Sequence, residues 1–215
     1  MTGAEADADP RPAVGVVLAG GRGRRIGEAK PQTELAGRPL ISYPLASLSA
    51  AGLDTFVVAK PQSPLPELNC PVLSEPALPI HPLLGIITAL RSSDERSILV
   101  VACDMPFLTG PLLAWLAGLD GLVVPEVEDR LQPLLARYEP AHADALETAL
   151  RSNHSMRRAI AGLEPRIVSE RELRPFGDPS RLCFNVNDPS DLETAERWLL
   201  QSDSQPDAGA TGRHQ

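Results

Sequence analysis

Two periodicities of apolar positions alternate along the chain. Short, nearly continuous apolar runs recur at VGVVLAG (14–20), TFVVAK (55–60), PVLSE (71–75), SILVVACDM (97–105), GLVVPEV (121–127), LQPLLARY (131–138), RIVSE (166–170) and CFNVN (183–187). Bounded by turn residues, such runs predict strands buried on both faces. Between them lie segments with helical spacing: PLISYPLASLSAAG (39–52), TGPLLAWLAGL (109–119), ADALETALRS (143–152), SMRRAIAGL (155–163) and DLETAERWLL (191–200). Gly52 reads as a helix stop, and Thr109 as an N-cap with Pro111 in the first turn. The alternation predicts an α/β fold, a mostly parallel twisted sheet with helices on both faces. No internal repeat interrupts it. The proline-rich stretch 61–82 reads as a linker or an active-site loop.

Both ends have another composition. Residues 1–12 and 201–215 are small, polar and rich in Pro, Gly and Asp, so they are expected to be disordered around one domain spanning 13–200. At 215 residues the chain can bury a core without disulfides or a structural metal. Its formal charge of −8 and its 4% aromatic content disfavour a basic nucleic-acid face or a base-stacking platform. Cys70, Cys103 and Cys183 are too few and too scattered for a zinc site and read as small core residues. With no signal-like start and no apolar run of about 20 residues, the expectation is a cytoplasmic protein without membrane contact.

Candidate chemistry concentrates at strand ends. LAGGRGRRIGEAK (18–30) follows the first run and places Arg22, Arg24, Arg25 and Lys30 beside Gly20, Gly21 and Gly23. Glycines let the backbone approach a ligand with its amides inward, and the cations can neutralise phosphates. The spacing is neither a Walker A loop nor a dinucleotide fingerprint: Gly27 is followed by Glu28, and Ile26 stands where the last fingerprint glycine belongs. A tight turn carrying solvated arginines is the plainer alternative.

Asp104 lies at the carboxyl end of the run SILVVACDM, where ligands gather in open α/β sheets. Its carboxylate is a hard oxygen donor suited to Mg²⁺, or else a helix cap. Asn185, Asn187 and Asp188 cluster in CFNVNDPSDL (183–192), as metal or heterocycle contacts or again as caps. In HPLLGI (81–86), Gly85 allows close approach of a base or ribose, whereas a lone His81 reads more simply as a loop or packing residue. Trp115 and Trp198 read as packing residues of helices.

Taken in order, these segments resemble the molybdenum-cofactor guanylyltransferases (the MobA group) of the nucleotidyltransferase superfamily over about residues 14–200. The family pattern LAGGxSxRMGxDK aligns with Leu18 through Lys30 without a gap. VACDMPFL is similar to its metal-binding strand, HPLLGI to its GPLAGI loop, QPLLARY to QPLPALY, and FNVNDPSDL to FxNVNTPEDL. The resemblance implies a Rossmann-like nucleotidyltransferase fold and transfer of GMP from GTP to the terminal phosphate of molybdopterin.

In that family's terms, the backbone of Leu18, Ala19, Gly20 and Gly21 would hold the nucleotide. Arg25 and Lys30 would neutralise the triphosphate, Asp104 and Asn187 would hold Mg²⁺, and Glu75, Pro82 and Gly85 would shape and read the guanine. Gln132, Arg157, Arg158 and Asn185 would handle the phosphate-bearing pterin. The product would pass to a molybdoenzyme or a chaperone.

Four positions depart from the family pattern: Gly23 for Ser, Ile26 for Met, Ala29 for Asp and His81 for Gly. Ala29 and His81 bear on efficiency and nucleotide choice. The Gly20-Gly21 pair and the Pro82–Gly85 pattern favour GTP over CTP. The competing readings are a molybdopterin cytidylyltransferase, a guanylyltransferase for another small acceptor such as 2-phospholactate, and a non-catalytic nucleotide-binding adaptor.

Overall fold

The computed structural model of the protein describes residues 12–20 and 30–203. The readings placed on Gly21 through Ala29, Arg25 among them, and on residues 1–11 and 204–215 lie outside the described residues. In chain order the elements are β1 (Val14–Leu18), β2 (Glu34–Leu35), β3 (Arg38–Pro39), α1 (Ser42–Ala50), β4 (Thr55–Ala59), β5 (Val72–Ser74), α2 (Pro82–Arg91) and β6 (Ile98–Ala102). Then come α3 (Gly110–Ala117), β7 (Val123–Val127), β8 (Arg130–Leu131), β9 (Leu135–Tyr138), α4 (Ala143–Arg151), α5 (Met156–Ala161), β10 (Arg166–Val168), α6 (Glu170–Leu173), α7 (Pro179–Leu182) and α8 (Pro189–Asp203).

The main sheet runs β10-β7-β9-β6-β1-β4-β5, with β8 paired to β7, while β2 and β3 form a separate hairpin. β1 is parallel to β4 and β6, β4 to β5, and β10 to β7. Within the main path, among the described residues, only β9 runs against its neighbours β6 and β7. The α/β class and the mostly parallel sheet are therefore as the apolar pattern predicts.

Alternation along the strands builds two cores. Val14, Val16, Ile98 and Val100 point to the face covered by α2, α4 and α5. Val17, Leu99 and Val101 point to the face covered by α1 and α3, where Leu173 and Leu182 also pack. All of β6 is buried, which explains its unbroken apolar run. A third cluster holds α8 against the hairpin through Leu35, Leu40, Phe107, Val186 and Ala195. The Trp198 ring lies 4.9 Å from Phe184 and 5.4 Å from Phe107, and Trp115 lies 5.1 Å from Phe176, so both tryptophans pack as expected.

Helix ends follow local chemistry. Thr109 Oγ1 accepts the Leu112 N–H at 3.4 Å to cap α3, and Gly52 takes φ +72° just beyond α1. Elsewhere the structure departs from the run-by-run reading. LQPLLARY is two strands, because Pro133 brings no N–H to a ladder and the chain turns at Gln132, whose carbonyl accepts the Leu135 N–H at 2.9 Å. CFNVN is not a strand: Asn185 donates to the Cys183 carbonyl, and the Val186 N–H donates to the Asp104 carbonyl at 2.9 Å, tying the segment across the sheet's end. HPLLGI is not a loop but the start of α2. The 61–82 stretch carries the edge strand β5, and the reading of a tail from 201 is corrected by α8, which continues to Asp203.

The winding also locates the site. From β1 the sheet proceeds outward to β4 and β5, and the chain then returns to lay β6 on the other side of β1. In open α/β sheets the crevice beyond the strand ends at such a reversal is where ligands bind.

Candidate active site

A cavity of about 200 Å³ opens at the carboxyl ends of β1, β4 and β6. It is lined by seven of the residues picked from the sequence: Leu18, Gly20, Lys30, Glu75, Pro82, Gly85 and Asp104. Ala19 is buried in the α1-facing core and borders an adjoining hollow that also touches Gly20 and Lys60. Its N–H donates to the Val58 carbonyl at 2.8 Å, which fixes the strand end.

Lys30 and Asp104 line one side of the cavity, and Asn187 joins them from beyond its lining. The Lys30 ammonium pairs with Asp104 Oδ2 and donates to Asn187 Oδ1 at 2.9 Å. Residues 157 positions apart are thus joined through one cation. The Val186–Asp104 backbone bond holds the asparagine segment in place. Asp188 anchors it from below, accepting the N–H groups of Ser190 at 2.9 Å and Asp191 at 3.1 Å at the start of α8. Asp188→Ala is expected to cost about 1 kcal/mol, or about 3 °C in melting temperature, which thermal denaturation would measure.

This corner fits a magnesium ion by its donor chemistry. Asp104 Oδ1 is buried without a hydrogen-bond partner among the described residues, and Asn187 Oδ1 is a second hard oxygen. Among the described residues no group of three or more His, Cys, Asp or Glu could hold a metal alone. A site with one carboxylate and one amide oxygen therefore suits an ion whose shell is completed by substrate phosphates and water.

On the other side stands Glu75, 5% exposed, between two glycines. A Cβ at Gly20 would lie 2.3 Å from Glu75 Oε1, and one at Gly85 would lie 3.2 Å from Oε2. The glycines are what let the backbone of β1's end and of α2 close around this carboxylate. His81 is the N-cap of α2, its Nδ1 accepting the Leu83 N–H at 3.1 Å.

The four residues assigned to an acceptor are placed differently. Asn185 is half-buried beside the Val186–Asp104 contact, and its carbonyl accepts from Asn187 Nδ2 at 3.2 Å. Gln132 donates from Nε2 to the Arg130 carbonyl at 3.2 Å, two residues before the cavity-lining Leu134. Arg157 and Arg158 are exposed on α5, and Arg158 borders a separate groove with Thr148, His154 and Gly162.

Cys103 reaches the cavity wall but is not a nucleophile. Burial, then the adjacent Asp104 charge, push its thiol far above the usual range, and burial pushes Cys183 up to about 12. At pH 8 both thiols stay protonated. Alkylation of the folded protein is expected to modify Cys70 first and to reach Cys103 and Cys183 only on unfolding, which peptide mapping by mass spectrometry would show.

The MobA-like NTP transferase domain matches residues 15–168. The chain belongs to this family. A probable molybdenum cofactor guanylyltransferase of Pelotomaculum thermopropionicum is 33% identical, with 85% of this chain and 91% of the relative covered. The molybdenum cofactor guanylyltransferase of Sinorhizobium fredii is 31% identical over 86% of this chain and 90% of its own. Among solved structures, the molybdopterin-guanine dinucleotide biosynthesis protein A of Archaeoglobus fulgidus superposes with a TM-score of 0.73 at 28% identity, covering 87% of this chain and 98% of that one.

For a MobA-like NTP transferase, the cavity contains one charged residue that the sequence reading passed over. Lys60 lies just beyond β4, its ammonium 3.2 Å from Glu75 Oε1 and 2.9 Å from the Pro76 carbonyl. The signal was present: Lys60 closes the run TFVVAK as Asp104 stands near the end of SILVVACDM, and both lie past the carboxyl end of a buried strand.

Proposed function

We propose that the protein transfers GMP from GTP to the terminal phosphate of molybdopterin and releases pyrophosphate. The observation that carries this reading is a cavity with Lys30 and Asp104 on one side, Asn187 bonded to Lys30 behind them, and a glycine-flanked carboxylate, Glu75, on the other. The first corner suits a triphosphate, and the second suits a base bearing N–H donors, as guanine does. The relatives named as guanylyltransferases span nearly the same length of chain.

In the reaction, an oxygen of the acceptor phosphate attacks the α-phosphorus of GTP. The bond from that phosphorus to the oxygen bridging to the β-phosphate breaks, and its electron pair leaves with pyrophosphate. No covalent intermediate on the protein is needed, so positioning and charge neutralisation supply most of the rate.

Asp104 and Asn187 would hold Mg²⁺, which when bound offsets phosphate charge. The Lys30 ammonium, already within reach of both, would face the phosphates alongside Arg25. The backbone of Leu18, Ala19, Gly20 and Gly21 would hold the nucleotide, and Pro82 and Gly85 would set the base against Glu75. Gln132, Asn185, Arg157 and Arg158 are assigned to the phosphate-bearing pterin by the family resemblance, although Arg158 borders a groove separate from the cavity. The reading places the protein in the cytoplasm, handing its product to a molybdoenzyme or chaperone.

The test is Mg²⁺-dependent binding of GTP against CTP, ATP and UTP, in wild type and in Asp104→Ala. Selective GTP binding that collapses in the variant supports the reading. A CTP preference would move it to the cytidylyl relatives, and no nucleotide binding by the folded protein would contradict it.

A further inference from the structure

Glu75 alone does not explain base choice, because one of its two oxygens is already engaged. Oε1 faces the Lys60 ammonium at 3.2 Å, whereas Oε2 is buried and has no hydrogen-bond partner among the described residues. Both side chains line the same cavity, and they are only 14% and 6% exposed. Glu75 is hemmed in by the glycine backbone on either side, and Lys60 is braced by the Pro76 carbonyl at 2.9 Å. The cavity wall therefore presents a fixed pair: an ammonium that can only donate, next to a carboxylate oxygen that accepts.

We propose that Lys60 is a specificity residue, and that Lys60 and Glu75 together read the lactam edge of the base, a ring carbonyl beside a ring N–H. Guanine offers this edge as its 6-oxo group and N1–H. Lys60 donates to the oxo group, and Glu75 Oε2 accepts the N–H. Adenine and cytosine present the reverse order, an amino donor beside a ring nitrogen acceptor. Against them the ammonium meets a donor and the carboxylate meets a lone pair. A site built to hydrogen-bond one pattern rejects the other strongly, because its own buried polar groups are left unpaired.

This inference rests on the reading of the cavity as a GTP site, and it yields an ordering that guanine selectivity alone does not. Hypoxanthine shares the lactam edge with guanine, and uracil shares it at pyrimidine size. ITP is therefore expected to bind within about threefold of GTP and at least about tenfold more tightly than ATP, and UTP more tightly than CTP.

The experiment is displacement of a fluorescent GTP analogue by GTP, ITP, ATP, UTP and CTP from wild type, Lys60→Met and Lys60→Arg, each first checked for a native melting transition. Lys60→Met is expected to cut the GTP-to-ATP affinity ratio by about tenfold, while Lys60→Arg, which keeps a cationic donor, retains most of it. If Lys60→Met does not fold, the ITP-to-ATP and UTP-to-CTP orderings in wild type decide the question. A GTP preference with the ratio unchanged in Lys60→Met would show that Lys60 only braces Glu75. That result would overturn this proposal and leave the guanylyltransferase reading standing. A wild-type preference for CTP, or no nucleotide binding at all, would overturn both.

Discussion

Asp104→Ala is expected to lower the rate of nucleotidyl transfer by about 10³-fold while leaving the fold intact. The carboxylate stands just past β6, at the cavity wall, with one oxygen on Lys30 and the other without a partner among the described residues. Removing it takes away the anionic ligand proposed for the metal and the group that orients Lys30. It does not take away the backbone bond from Val186, because that bond ends on the Asp104 carbonyl. The freed Lys30 ammonium borders the cavity and can turn to water, so little stability is lost. Initial rates at saturating substrate, measured beside thermal denaturation, separate the two effects. A melting temperature that falls along with the rate would mean Asp104 serves the fold.

Lys30→Ala is expected to move two observables in opposite directions. Transfer should fall by about 10²-fold or more, because a fixed cation facing the phosphates is lost. Binding of Mn²⁺ without nucleotide should instead tighten, by about fivefold. The ammonium now contacts the same two side chains, Asp104 and Asn187, that are proposed to hold the divalent ion, and a partly exposed ion pair of this kind opposes its entry by about 1 kcal/mol. Electron paramagnetic resonance of free Mn²⁺ reads this directly. Weaker Mn²⁺ binding in the variant would mean that Lys30 and the metal do not share these oxygens.

The apolar periodicity made the fold legible because β1, β4 and β6 are covered on both faces and are almost wholly apolar. It failed where local polar chemistry overrode it. CFNVN has the apolar residues of a strand, but its asparagines bond to their own backbone and Val186 pairs with the Asp104 carbonyl, so it crosses the sheet's end instead of joining it. α2 was hidden because its cap is a histidine, outside the usual Ser, Thr, Asp and Asn signals, and because its first turn follows a proline-rich stretch.

Within the site, Lys30, Asp104 and Asn187 were each visible as a charged or amide residue near a glycine turn or a strand end. Their mutual contact spans most of the chain and could be seen only once folded. Glu75 was placed by resemblance, whereas its partner Lys60 was overlooked because a lysine closing an apolar run is ordinarily a solvated end. Here it lies inside the crevice because β4 ends beside β1 at the point where the sheet reverses its winding.

The most direct test of the central claim follows the α-phosphate. The protein, molybdopterin, Mg²⁺ and GTP labelled at the α-phosphorus are incubated together, and the label and the released pyrophosphate are counted. Label in a pterin–guanine dinucleotide, with one pyrophosphate per product and little or none from CTP, is the predicted result. Pyrophosphate released only with CTP, or label that never enters a pterin product although GTP is bound, would contradict it.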